Sequence, residues 1–205
     1  ALLIGPDLLA DPVLEPGASE RTLYLPRGRW IDLWRSASYI ERTGAIRLSR
    51  AAVLAGRREV TVPAPIEELP IMVRSGAVLP LLDPAIDTLA GYGRADPETV
   101  HLAERADRLV LLAFPDGRWT GGFGRSGTLR STERAGEWRL RVAGAGAKRI
   151  RLQAALSELG WRPCAVAIGG RPLPRNRWSF DADSAVLRAR FTARDTVLAV
   201  SSRGC

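Results

Sequence analysis

Residues 69–81 read LPIMVRSGAVLPL, two short apolar runs separated by the turn Arg74-Ser75-Gly76. Pro70 and Pro80 bound the pair, and neither run is long enough to form a helix. The pattern predicts two short strands buried on both faces, because a surface loop would not carry so much apolar material. Other parts of the fold must therefore cover both sides of this segment.

Strand patterns also precede this segment. Residues 1–13 form two apolar runs split by Gly5-Pro6-Asp7, and residues 21–25 alternate until Pro26. Alternation resumes over residues 30–34 after a short turn, which predicts a hairpin with residues 21–25. Short strands with regular turn residues between them are typical of an antiparallel sandwich.

Residues 83–99 carry two prolines and two glycines without any period, so we interpret them as a linker. The strand pattern then restarts with the apolar run 109–114, and residues 181–184 are predicted to be a hairpin turn. Only residues 152–159 could form a short helix. The remaining predicted strands are residues 137–142, 149–152, 165–168, 178–180, 185–191 and 197–200. We therefore predict an all-β chain of two consecutive antiparallel β-sandwich domains, 15–86 and 87–205, preceded by a strand segment, 1–14.

The chain has 205 residues and a net charge of +8, and 29 of its 30 basic residues are arginine because Lys148 is the only lysine. A nucleic-acid surface needs basic residues clustered on one face, and only two adjacent basic pairs are present. Arginines also recur two residues apart, the spacing of a solvated strand face, in the pairs 139/141, 149/151 and 188/190. We predict neither a nucleic-acid nor a membrane partner, since no apolar run approaches the ~18 residues of a membrane span.

Cysteine and histidine are scarce. Cys164 and Cys205 are the only cysteines, which excludes a disulfide framework but leaves a single bridge and the cellular compartment open. His101 is the only histidine, so the chain alone cannot build a Ser-His-Asp triad or a histidine-rich metal site. We predict no metal-binding and no cofactor-binding residues.

Two motifs lack the surrounding residues that their usual binding function requires. Residues 122–127 match G-x-G-x-x-G, but a dinucleotide fingerprint leaves a strand and opens a helix, which the flanking residues do not allow. We expect a loop there. Asp181 and Asp183 start like a calcium loop, yet the glycine and the distant glutamate of that loop are absent.

Glycoside hydrolysis needs two carboxylates on either side of a bond. Asp7, Asp11, Asp32 and Asp116 lie in turns or at strand ends, and the sequence supports no pairing among them. We therefore predict no catalytic residue. Tryptophans could stack on sugar rings, although core packing is the alternative for each of Trp30, Trp34, Trp119, Trp138, Trp161 and Trp178.

Three segments together resemble the end of the catalytic barrel and the region after it in family 31 glycoside hydrolases, the α-glucosidase and α-xylosidase family. They are residues 5–13 (GPDLLADPV), 23–34 (LYLPRGRWIDLW) and 69–81, and their less common residues are Pro26, Trp30, Asp32, Arg74 and Gly76. The resemblance implies that residues 1–14 are a strand segment at the end of a (β/α)8 barrel. It also implies proximal and distal C-terminal β-domains after that segment.

In this family both catalytic aspartates lie in the barrel, upstream of the segments that match this chain. The resemblance implies a parent enzyme that cleaves α-glucosidic or α-xylosidic bonds with retention. We expect this chain to be a fragment, or the product of upstream cleavage, whose partner is the barrel of the same polypeptide or complex. Its carbohydrate contacts would come only through the parent. The alternatives are a free-standing carbohydrate-binding β-sandwich that uses exposed tryptophans, and a basic nucleic-acid-binding β-barrel.

Overall fold

The computed structural model describes residues 1–90, 96–144 and 146–203. One short α-helix, α1 (Leu33–Ser36), occurs in these ranges, together with 3₁₀ turns at Glu41–Thr43, Leu102–Arg105, Ser157–Leu159 and Arg175–Arg177. The earlier strands are β1 (Leu2–Ile4), β2 (Leu8–Ala10), β3 (Glu20–Leu25), β4 (Arg29–Asp32), β5 (Ala37–Ile40), β6 (Ala45–Leu48), β7 (Ala52–Ala55), β8 (Arg58–Pro63), β9 (Ile71–Arg74) and β10 (Val78–Leu81). The later strands are β11 (Arg108–Ala113), β12 (Arg118–Phe123), β13 (Gly127–Arg134), β14 (Glu137–Ala143), β15 (Lys148–Ala155), β16 (Ala165–Ile168), β17 (Arg171–Pro172), β18 (Trp178–Asp181), β19 (Val186–Ala193) and β20 (Thr196–Ser201). The prediction of an all-β chain is confirmed.

These strands form three main sheets and two ribbons. The first sheet has the order β1-β2-β9-β4-β7, the second β10-β11-β15-β19-β18, and the third β12-β13-β14-β20-β16-β17. The ribbons are β3-β8 and β5-β6. Pairing between these strands is antiparallel except between β11 and β15.

The sheets stack in layers around three hydrophobic clusters. The β3-β8 ribbon covers one face of the first sheet, around Trp30 and Met72. The other face of that sheet packs on the second sheet, where Val73 meets Leu112. The opposite face of the second sheet packs on the third sheet, around residues such as Leu111. Neighbouring strand residues therefore enter different clusters, as the side-chain period of two requires.

The two short strands predicted within residues 69–81 are present as β9 and β10, and β9 is the more fully buried of the two. Met72 and Val73 are 1% and 0% exposed and lie in separate clusters, so β9 is covered on both faces. Ala77 and Val78 are fully buried as well. The two strands do not pair with each other, because β9 lies in the first sheet and β10 in the second.

The predicted hairpin between residues 21–25 and 30–34 is wrong. Strand β3 pairs with β8, while β4 lies between β7 and β9. Trp30 and Ile31 of β4 are buried on opposite faces, so this strand needs a place inside the sheet. Strand β3 exposes alternate residues and buries Leu23 and Leu25, which suits a ribbon at the surface.

Two local predictions also need correction. The strand predicted over residues 30–34 stops at Asp32, whose carboxylate accepts the Arg35 backbone N–H at 3.3 Å and begins helix α1. The helix predicted over residues 152–159 is absent, because β15 continues to Ala155 and only a 3₁₀ turn follows.

The predicted turn at residues 181–184 is confirmed, since β18 and β19 pair on either side of it. The Asp181 carboxylate accepts the backbone N–H groups of Asp183 and Ser184, which is an Asx turn. Strand β10 pairs with β11, so the second sheet combines strands from both sides of the predicted boundary at residues 86 and 87. That boundary remains a prediction.

Candidate docking surface

Strand β1 exposes three consecutive apolar side chains. Leu2, Leu3 and Ile4 are 63%, 55% and 53% exposed. Because neighbouring strand residues point to opposite sides, both faces of β1 are uncovered. The strand pairs only with β2 and is the edge of the first sheet. An exposed apolar edge strand of this kind is typical of a surface that another element completes.

Two loops next to this edge carry further exposed apolar side chains. Leu14 is 77% exposed and Ile66 is 99% exposed, and both line an open cavity of about 750 Å³ between the two loops. The loops adjoin the end of β2, where Leu2 is paired with Ala10. We call Leu2, Leu3, Ile4, Leu14 and Ile66 the apolar rim.

Sequence reasoning missed the loop part of this rim. The available signal was the position of Leu14 and Ile66 inside turn clusters, between or beside prolines, where a large apolar side chain has no local packing partner. Residues 1–13 are apolar along most of their length, and strand β1 within them is exposed. Residues 70–80 are covered by the chain's own layers.

Asp7 and Asp11 are each held by a structural partner. The indole N–H of Trp119 donates to the Asp7 carboxylate at 2.9 Å. Arg21 donates to the Asp11 carboxylate at 3.0 Å. Burial alone raises the pKa of Asp11, but the hydrogen bonds from Arg21 and the Ala1 amino group outweigh it and hold the pKa below its usual value.

Asp32 and Asp116 are also engaged. The Asp32 carboxylate begins α1, as described above, and Asp116 lies 2.8 Å from the guanidinium of Arg29. Arg29 also contacts Glu158 at 3.1 Å. The geometry thus gives each of the four candidate aspartates, including Asp7 and Asp11, a structural hydrogen bond or ion pair.

The less common residues of the three quoted segments come together in space. The indole N–H of Trp30 donates to the Pro26 carbonyl at 2.9 Å. The Arg74 guanidinium lies 5.7 Å from the Trp30 ring centroid and donates to the Arg27 carbonyl at 3.2 Å. Gly76 has a φ of 98°, and a Cβ there would lie 2.8 Å from the Asp116 carbonyl oxygen. These residues join the turn after β3 to β4 and β9.

The other motifs have local roles. Residues 122–127 turn the chain from β12 into β13, which pair antiparallel, so no helix follows the glycines. His101 is 9% exposed, and its Nδ1 lies 3.2 Å from the Ala90 carbonyl oxygen. Cys205, with which Cys164 could form the bridge left open by the sequence, lies outside the described residues, as do Gly91 and Gly93 of the predicted linker.

No cluster of three or more His, Cys, Asp or Glu side chains among the described residues could hold a metal ion. The same part of the chain contains no helix that is long and apolar enough to span a membrane.

The tryptophans are core or half-buried residues. Trp30, Trp138 and Trp178 are 1%, 0% and 7% exposed. Trp34 and Trp119 are half-buried, and their indole N–H groups donate to Leu69 and Asp7. Trp161, also half-buried, packs beside the core of the second and third sheets. None of the six offers a fully exposed ring for sugar stacking.

The first part of the chain matches a known protein family. The model of the glycosyl hydrolase family 31 C-terminal domain matches residues 1–79. Lysosomal alpha-glucosidase of Rattus norvegicus is 31% identical over 126 residues, which cover 58% of this chain and 13% of that protein. Isomaltosyltransferase of Sporosarcina globispora is 28% identical over 170 residues, which cover 82% of this chain and 14% of that protein. The chain therefore spans only a small part of these relatives.

Solved structures match nearly the whole chain in fold. The GH31 dextranase of Flavobacterium johnsoniae has a TM-score of 0.67 at 20% identity, over 97% of this chain and 26% of that protein. This likeness concerns the fold alone, and it includes the third sheet, which the family model does not reach. The match of residues 1–79 to the glycosyl hydrolase family 31 C-terminal domain confirms the resemblance predicted from the sequence.

Proposed function

We propose that this chain is the non-catalytic C-terminal β-region of a family 31 glycoside hydrolase and that it packs on and stabilises the catalytic barrel. The exposed edge strand β1 carries this proposal. Leu2, Leu3 and Ile4 are each about half exposed, on both faces of the strand. Covering such side chains contributes about 1 kcal/mol each, so an adjoining barrel would gain binding free energy from this edge.

The engagement of the aspartates supports a non-catalytic role. Retaining hydrolysis needs a nucleophile and an acid/base on either side of the glycosidic bond. Here Asp7, Asp11, Asp32 and Asp116 act in hydrogen bonds and ion pairs that hold the fold together. The proposed parent enzyme cleaves α-glucosidic or α-xylosidic bonds with retention, and its catalytic aspartates lie upstream of residue 1.

The surface role is tested by measuring the binding of an apolar dye to the purified chain. The 205-residue chain should bind the dye and self-associate, and Leu3→Asp should remove most of the signal. The matched control is Leu89→Asp, which changes a 68% exposed leucine outside the apolar rim and should leave the signal unchanged. A monomeric chain that binds no dye would contradict the proposal.

The catalytic role is tested separately with a chromogenic α-glucoside. The chain alone should release no product, whereas the polypeptide encoded together with its upstream barrel should do so. In that longer polypeptide Leu3→Asp should lower the melting temperature more than Leu89→Asp does. Sugar cleavage by the chain alone, abolished by changing one of its own aspartates, would refute the non-catalytic assignment.

A further inference from the structure

The face of the second sheet that packs on the first sheet also carries rows of arginines, which the strand register brings together. Arg108 of β11 is directly opposite Arg149 of β15, and Arg151 of β15 is directly opposite Arg190 of β19. Arg188 lies two residues from Arg190 on the same face. Since a strand rises about 3.3 Å per residue, the three rows span about 13 Å.

These rows line a concave surface. Two cavities of about 520 and 560 Å³ adjoin, and both are lined by Arg151, Arg177 and Arg190. Each volume is within the range of about 300–1,000 Å³ that small-molecule sites occupy. The 3₁₀ turn at residues 175–177 forms one wall and the β5-β6 ribbon forms another. We call Arg108, Arg149, Arg151, Arg177, Arg188 and Arg190 the arginine groove.

The acidic partners of the groove in ion pairs lie at one end, in the row of Arg108 and Arg149. Asp83 lies 3.5 Å from Arg108, and Asp107 lies 2.6 Å from Arg149. Within the described residues, the guanidinium groups of Arg151, Arg177 and Arg190 form no ion pair or hydrogen bond. Like charges directly opposite each other in a sheet are unfavourable, so the Arg151–Arg190 pair costs stability when no anion lies between the two side chains.

The end of the groove at Arg188, beside the β5-β6 ribbon, is also positive. Burial, and then the positive charge of Arg47, lower the pKa of Arg188, while Asp181 acts in the opposite direction. The Arg188 guanidinium donates to the Leu48 carbonyl at 2.9 Å and is held in place. A ligand here would meet fixed and unpaired guanidinium groups together.

We propose that the arginine groove binds a linear acidic oligosaccharide, each of whose sugars carries a carboxylate. Guanidinium groups bind carboxylates through paired hydrogen bonds, and the three rows offer several guanidinium groups to the successive carboxylates of one linear chain. Asn176, Ser179 and Thr192 line the same cavities and supply amide and hydroxyl groups for the sugar hydroxyls. Only the choice of a carbohydrate as ligand rests on the proposed function.

Single-stranded nucleic acid is another linear polyanion, and the groove does not favour it. Such strands bind by stacking their bases on exposed aromatic rings. The aromatic side chains that line the groove are Phe191 and Trp178, which are 8% and 7% exposed. The guanidinium of Arg175 lies 4.2 Å from the Trp178 ring centroid and covers that ring.

The test is calorimetric titration of the 205-residue chain with tetragalacturonate at low salt, alongside neutral maltotetraose. We expect binding of the acidic tetramer only, weakened at least about tenfold when Arg151→Gln and Arg190→Gln are combined. The matched control combines Arg130→Gln with Arg141→Gln, a directly opposed arginine pair on the third sheet with the same change in charge. This control should stay within about twofold of the unchanged chain.

Four results would overturn the proposal: no binding of tetragalacturonate, equally tight binding of maltotetraose, equal weakening by the control pair, or tighter binding of a single-stranded oligonucleotide of equal charge that depends on Arg151 and Arg190. Thermal melts of both double variants establish that they are folded. If they are not, Arg177→Gln alone should weaken binding, and unchanged binding would overturn the proposal. The titration needs no hydrolysis, so it can fail or succeed independently of the proposed parent activity.

Discussion

Gln153 joins the β5-β6 ribbon to the second sheet. Its side-chain oxygen accepts the Leu48 backbone N–H at 3.0 Å, and its side-chain nitrogen donates to the Ile46 carbonyl at 2.8 Å. The glutamine thus replaces a neighbouring strand for two backbone groups of β6. Leu48 itself is 2% exposed and packs between the first and second sheets, so the ribbon must be held in this position.

We expect Gln153→Leu to lower the free energy of unfolding by about 2–3 kcal/mol. Each backbone group left without a partner costs about 1–3 kcal/mol, and the site is half-buried, which favours the lower end. The added apolar contact of leucine offsets part of this loss. For a chain of this size the change corresponds to a melting temperature lower by about 5–10 °C.

The measurement is urea unfolding followed by circular dichroism and tryptophan fluorescence, with a thermal melt in parallel. Arg151→Gln is the matched control, because Arg151 lies two residues earlier on the same face of β15 and holds no backbone group. It should not lower stability. If Gln153→Leu unfolds within about 0.5 kcal/mol of the unchanged chain, the two hydrogen bonds do not hold the ribbon and the reasoning is refuted.

Three further predictions concern single side chains. Ser131→Ala should cost about 1–3 kcal/mol in urea unfolding, since the fully buried indole N–H of Trp138 donates to the Ser131 hydroxyl at 2.9 Å; a loss below about 0.5 kcal/mol would contradict this. The pKa of Asp11 is lower in the folded chain than in the unfolded chain, where it is about 3.9. The pair of Asp11 with Arg21 therefore stabilises the fold above the unfolded pKa, and this stabilisation is lost as the pH falls through the folded pKa. The stability difference between the unchanged chain and Asp11→Asn should therefore shrink on acidification, and a constant difference would disprove it. Arg151→Gln should raise the melting temperature slightly at low salt, an effect that added salt should remove, because it relieves repulsion across the strand pair.

The strands, including those within residues 69–81, could be predicted because their sequence signals are local. Apolar runs, prolines and glycines mark where Met72 and Val73 lie on a short strand, and a two-sided apolar strand must be covered on both faces. The pairing of β3 with β8 could not be predicted, since about thirty residues separate the strands and the intervening turn suggested a nearer partner. The helix that begins after Asp32 could not be predicted either, because the apolar residues Leu33 and Trp34 suit a continuing strand as well as a helix.

The apolar rim and the arginine groove differ in how far they could be predicted from the sequence. The exposed edge at Leu2–Ile4 follows from an apolar segment for which the chain offers no cover. The arginine groove does not follow from spacing alone, because arginines two residues apart only indicate a shared strand face. Whether Arg151 meets Arg190 depends on the register between β15 and β19, which is set by packing over the whole sheet.

Strand β11 directs Leu111 into the cluster between the second and third sheets and Leu112 into the cluster between the first and second sheets. The two regions consequently share one backbone, and neither can loosen without displacing side chains of the other. Heat should then melt both in a single cooperative transition, with equal calorimetric and van't Hoff enthalpies. Truncating either leucine would move that one transition to a lower temperature instead of splitting it into two.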